Sequence, residues 1–203
     1  SHAKEMIERT LGLNGREEEP DYIFDQYRQG DADAHLIAEY RRSNVIAYAK
    51  KIAAAARAVK PNVILSAALM PEGAYDLAFA DLHYGQNYED LSALVDFIMP
   101  MVYSSDYNRD AAWVKKVAEG ALEKGGNVLV GLQAYGKSTT EQLTADVEAV
   151  RELLPNENLM GIALFRTGEF SYVKMSELGA EDLEQAIAKV RESMPEAGCV
   201  YIV

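Results

Sequence analysis

Three carboxylates in this chain fall just past apolar runs. Glu72 follows Val63-Ile-Leu-Ser-Ala-Ala-Leu-Met70, Asp106 follows Val95-Asp-Phe-Ile-Met-Pro-Met-Val-Tyr103, and Glu169 follows Leu159-Met-Gly-Ile-Ala-Leu-Phe165. Two carboxyl groups held at one site can do acid–base work, one protonating a leaving oxygen while the other acts as base or nucleophile. Glu72 is the best placed, flanked by Pro71 and Gly73, which hold and clear the backbone; its alternative is a solvated loop carboxylate. Asp106 is the second catalytic candidate, against the reading that it caps a helix opening at Asn108. Glu169 reads as rim or surface. Tyr103, at the end of its apolar run, offers a phenol as donor and a ring for stacking; the alternative is a core tyrosine bonded to a backbone carbonyl. Four further residues are candidates for binding. Gln133 offers a donor and an acceptor, and Tyr135, two residues on, shares its face if the run is a strand. Arg166 ends the fourth run, where an ion pair is its competing role, and Gln86 follows Gly85 at a helix start, where a structural role is at least as strong.

Other chemistries have no residues to carry them. There is no GxSxG elbow, Walker loop or glycine-rich dinucleotide fingerprint. His2, His35 and His83 show no metal-ligand spacing, so neither a metal nor a cofactor is expected. Trp113 and the apolar residues around it read as core. A formal charge of -12 argues against a nucleic-acid surface. No apolar run approaches a membrane span. Cys199, the single cysteine, rules out an internal disulfide framework. Ser1-His2-Ala3 looks like the scar of a cleaved affinity tag, so the natural N-terminus is expected to be cut away and the compartment stays unknown.

The positioning elements follow from periodicity. Lys4 to Leu11 is a short helical pattern, and Arg16 to Gly30 reads as a long loop carrying Tyr22, Phe24 and Tyr27, packed over the mouth of the fold rather than lining a substrate rim. Residues 4–32 thus form a helix and long loop, and 33–203 a single α/β domain. Asp33 is expected to cap a helix running to Val59. Strands are expected at Val63–Met70, Leu94–Tyr103, Asn127–Leu132 and Leu159–Phe165, with helical stretches at 75–94 (interrupted near Gly85), 108–124 and 180–194. Ser138 and Glu141 have capping-box spacing before a helix to Leu154. Cys199 to Val203 is a fifth strand or a stub. Strand and helix alternating with short joints predict βαβ units and a parallel sheet. A complete (β/α)8 barrel needs about 250 residues. The periodicity alone leaves a half-barrel and a small open sheet both open.

Tyr84-Gly85-Gln86-Asn-Tyr-Glu-Asp-Leu91, followed by Val95-Asp96-Phe-Ile-Met-Pro100-Met101-Val-Tyr103, resembles the glycoside-hydrolase-like barrels of bacteria and archaea. In them a Gly-Gln pair opens a helix leading into a Val-Asp-x-Ile-x-Pro-Met-x-Tyr strand. Arg42–Ala68, Gly131-Leu-Gln133-Ala-Tyr135 and Gly161-Ile-Ala-Leu-Phe165 resemble further pieces in the family's order, so the likeness spans about Tyr40 to Arg166. It implies that the four strands are the fifth to eighth of a TIM-type (β/α)8 barrel. It also implies a poly- or oligosaccharide substrate cleaved by carboxylate acid–base catalysis, with Tyr103 resembling the tyrosine that contacts substrate near the scissile bond in chitinase-type barrels. A secreted or cell-envelope setting is plausible for the family. The family's acidic Asp-Tyr-x-Arg-like strand has no counterpart before Tyr40; Asp21-Tyr22-Ile23-Phe24 echoes it without the Arg. The expected partner is therefore the missing barrel half or a second copy of the chain. The competing expectation is a non-catalytic α/β module that binds a glycan or a protein.

Overall fold

The computed structural model describes residues 20–165 and 199–202. Its frame is a five-stranded parallel sheet: β1 (Ser66–Leu69), β2 (Phe97–Val102), β3 (Val128–Gln133), β4 (Leu159–Phe165) and β5 (Cys199–Ile202), lying side by side in chain order. The strand order never reverses. The crossovers carry α3 (Tyr88–Ser92), α4 (Ala111–Glu123) and α5 (Thr140–Arg151), so the expected βαβ units are present. The helices expected at 4–11 and 180–194 lie outside the described residues.

Period-two alternation divides each strand between two faces. Ile98, Val102, Val128, Val130, Leu132, Ile162 and Leu164 join Val114, Val117, Ala118, Leu143, Val147 and Val150 of the helices in one core. Phe97, Met99 and Met101 alternate with them and are half-buried. Helices gathered on one face follow from the unreversed order, since crossovers of one hand all return on the same side.

Ahead of the sheet stand α1 (Pro20–Arg28) and the 28-residue α2 (Ala32–Val59). Where the sequence reads as a loop, α1 is a helix. Pro20 occupies its first turn, Arg28 its last turn, and Gly30 follows at φ 81°, the asymmetric arrangement that starts and stops helices. Phe24 and Tyr27, one turn apart, then pack with Ile37, Ala38, Leu82 and Phe79 in a second small core. Asp31, not Asp33, caps α2, accepting from the Asp33 and Ala34 amides.

The expected helix over 75–94 is broken into a single turn (Leu77–Phe79), a π-helical turn (Ala80–Tyr84) and α3. Gly85 makes the break with φ 62°, and a Cβ there would come within 2.9 Å of the Arg41 carbonyl. The Arg41 guanidinium donates to the Leu82 carbonyl and holds this segment against α2. Thr139, not Ser138, caps α5 by accepting from the Gln142 amide, while the Ser138 hydroxyl donates to the Gln133 carbonyl. No helix among the described residues is long and apolar enough to cross a membrane.

Candidate functional site

The carboxyl ends of β1, β2 and β3 carry two adjoining groups of polar side chains. The first is built on Glu72, in the 3-10 turn Pro71–Ala74 that follows β1. Both backbone groups of Met70, the residue before that turn, are tied down. Its amide donates to Gln86 Oε1 at 2.8 Å, and its carbonyl accepts from the Tyr88 hydroxyl at 2.8 Å. Two close approaches fix the turn further. A Cβ on Gly73 would lie 2.2 Å from the Tyr88 ring, and one on Gly120 of α4 would lie 2.4 Å from the Ala74 carbonyl oxygen. The turn is thus clamped between α3 and α4.

Glu72 is only 7% exposed, and its Oε2 has no hydrogen-bond partner among the described residues. Tyrosines surround it: the Tyr107, Tyr75, Tyr84 and Tyr88 phenols all lie near enough to feel its charge. Burial first, and then the Glu72 charge, pushes the phenols of all four above the ordinary tyrosine value. They remain neutral donors across the physiological range. Tyr107 in turn stacks on Trp113, with ring centroids 5.1 Å apart.

The second group joins β2 to β3. Asp106 accepts from Gln133 Nε2 at 2.8 Å on one oxygen and from the Tyr135 hydroxyl at 2.6 Å on the other, and its amide donates to Gln133 Oε1 at 3.0 Å. Asp106 caps no helix: that role belongs to Asp110, which accepts from the Trp113 amide at the start of α4. Tyr103 stands beside the network. Its ring stacks on Phe165 at 5.6 Å and meets Tyr135 edge-on at 5.9 Å. Among the described residues its hydroxyl makes no hydrogen bond. Burial, assisted by the Asp106 charge, pushes the phenol up to about 12.

Of the expected site residues, Tyr103, Asp106, Gln133 and Tyr135 thus converge, and Glu72 lies in the adjoining tyrosine-lined setting. Gln86 spends its amide oxygen on the Met70 backbone, a positioning role. Arg166 and Glu169 lie outside the described residues. Sequence reasoning gave no site role to Tyr75, Tyr84, Tyr88 and Tyr107, although 12 tyrosines in 203 residues, with five of them from 75 to 107, were a visible signal. It also passed over Ser104, Asp146 and Gln142. The buried Ser104 hydroxyl and Gln142 Nε2 both donate to Asp146, which fastens the segment after β2 to α5. No group of His, Cys, Asp and Glu side chains among the described residues is arranged to hold a metal ion.

The arrangement offers a buried carboxyl with one oxygen unpartnered among the described residues, several neutral phenol donors and a carboxylate held at both oxygens. It can exchange a proton with a hydroxyl-bearing ligand and stack against its rings. Compared with family models, curated proteins and solved structures, the chain matches none.

Proposed function

We propose that β1 to β4 of this chain are four successive strands of a glycoside-hydrolase-like (β/α)8 barrel and that the chain serves in the cleavage of glycosidic bonds. The observation that carries the reading is Glu72, buried at the carboxyl end of a parallel strand, with one oxygen unpartnered among the described residues and phenols around it. Active groups of α/β folds gather at that end of the sheet. The unreversed strand order, with the described crossover helices sharing one core with the sheet, is what a segment of a barrel requires. In the proposed chemistry Glu72 gives a proton to the glycosidic oxygen. Tyr103 donates to a sugar oxygen, and Asp106, held by Gln133 and Tyr135, supplies negative charge opposite the developing oxocarbenium ion; water then adds to the anomeric carbon and returns a proton to the Glu72 carboxylate. The other barrel half, or a second copy, completes the mouth.

A second reading, a glycan-binding module without catalysis, draws support from Asp106. Each of its oxygens already accepts a hydrogen bond within the protein, whereas hydrolysis calls for two available carboxyl groups. The test is a reducing-end assay against a panel of polysaccharides, run beside a pull-down on the same insoluble glycans. Cleavage that falls in Tyr103→Phe supports the hydrolase; retention on a glycan with no cleavage leaves the binding module standing.

A further inference from the structure

A concave site lies away from the strand ends, between α1, the N-terminal part of α2 and the π-helical turn. It is a groove of about 570 Å³ running along α2 from His35 to Lys50, a helical length of roughly 22 Å. Its volume is that of a small-ligand site, and its length suits an extended ligand.

Asp81 marks it as more than a surface hollow. This side chain is 7% exposed, lines the groove, and has an Oδ1 with no hydrogen-bond partner among the described residues. Asn87 and Arg42 both favour the ionised carboxyl, and Arg42, which lines the same wall, pairs with Asp90 at 2.6 Å. At the α1 end the rings of Tyr27 and His35 stack at 4.0 Å and 29°. A buried carboxyl oxygen without a donor is a costly arrangement that a ligand donor would relieve.

We propose that this groove binds a neutral oligosaccharide strand. A hydroxyl suits Asp81 better than an ammonium does. Burial pushes the Asp81 carboxyl up, against the opposing pull of Arg42, and a hydroxyl, being both donor and acceptor, complements the group with or without its proton. Arg42 and Asp90, side by side, present a donor and an acceptor to neighbouring hydroxyls. The mixed signs of Glu39, Arg42, Lys50 and Asp90 along the wall favour no net ligand charge. The stacked Tyr27–His35 pair supplies the flat apolar surface on which a pyranose face rests. The site does not depend on Glu72 chemistry and holds whether the strand ends cleave sugar or only bind it.

The experiment is titration of the protein with neutral tetra- to hexasaccharides of glucan, mannan and chitin, followed by amide chemical shifts and calorimetry. Two variants at exposed positions test the groove: Ala47→Trp to fill it and His35→Ala to remove half of the stacked pair. The expected result is shifts along residues 35–50, with the affinity read from those shifts lowered about tenfold or more in both variants. Shifts confined to residues 70–75, 103–107 and 133–135 would overturn the groove while leaving the strand-end reading intact. Binding undiminished in Ala47→Trp, or no binding of any member of the panel, would also overturn it.

Discussion

Tyrosines set the chemical character of the strand ends. The phenols of Tyr103, Tyr88 and Tyr107 are all raised, by burial above all. The unfolded chain ionises its tyrosines near pH 10, so it loses protons first, and the stability these groups confer is complete below about pH 10 and lost as pH rises toward their folded values. Denaturant midpoints measured between pH 8 and 11.5 are predicted to fall over the upper part of that range, and to fall less steeply in Tyr103→Phe. Equal slopes would remove Tyr103 from the account. Asp146 behaves as an acid of the same kind. Burial raises its carboxyl pKa, against the lowering effect of the Ser104 and Gln142 hydrogen bonds, so its ionisation opposes folding as pH rises above about 4. Asp146→Asn keeps an acceptor for Ser104, and the Gln142 amide can turn to match it. The variant is predicted to show a stability profile between pH 4 and 7 that declines less, or climbs more, than that of the natural protein. Individual residues were readable in sequence where a strand end exposed them, as with Tyr103, Gln133 and Tyr135. Asp146 was not: it stands mid-helix on α5, and only the tertiary approach of Ser104 gives it a role.

Among the elements, the most constrained is the Pro71–Ala74 turn. It is held by two hydrogen bonds to Met70 and by two glycines that admit a tyrosine ring and a helix backbone. Gly73→Ala and Gly120→Ala each place a methyl group against these neighbours, and each is predicted to lower unfolding free energy by about 1–3 kcal/mol. Chemical denaturation checks this, and a change below a few tenths would show that the clamp gives way easily. Thr139→Ala is predicted to cost about 1 kcal/mol, and Ser138→Ala to act instead through loss of the hydroxyl's bond to the Gln133 carbonyl. Capping shows why the sequence is an incomplete guide at this scale. Ser138-Thr139-Thr140 presents three adjacent hydroxyls, and the spacing to Glu141 selects Ser138, but the end of β3 claims that side chain first. At α2, with Asp31 and Asp33 both near the start, the cap is Asp31. In α1, acidic approach residues and a proline suggest a loop, while the contacts of Phe24 and Tyr27 with α2 and the π-helical turn make it a helix.

For the whole molecule, the alternation of apolar runs with amphipathic stretches was enough to read a parallel α/β sheet, and the strand positions agree to within a few residues. Strand order, and with it the gathering of the helices on one face, is a property of the assembled sheet that periodicity does not encode. That order is what favours a barrel segment over a doubly wound sheet, whose order reverses. The account rests in the end on Glu72. The most direct test is hydrolysis by the protein and by Glu72→Ala of the best polysaccharide and of an aryl glycoside of the same sugar, whose leaving group needs little protonation. The prediction is a fall of about 10²-fold or more in kcat on the polysaccharide, with a smaller fall on the aryl glycoside. Undiminished hydrolysis by a folded Glu72→Ala protein would contradict the account.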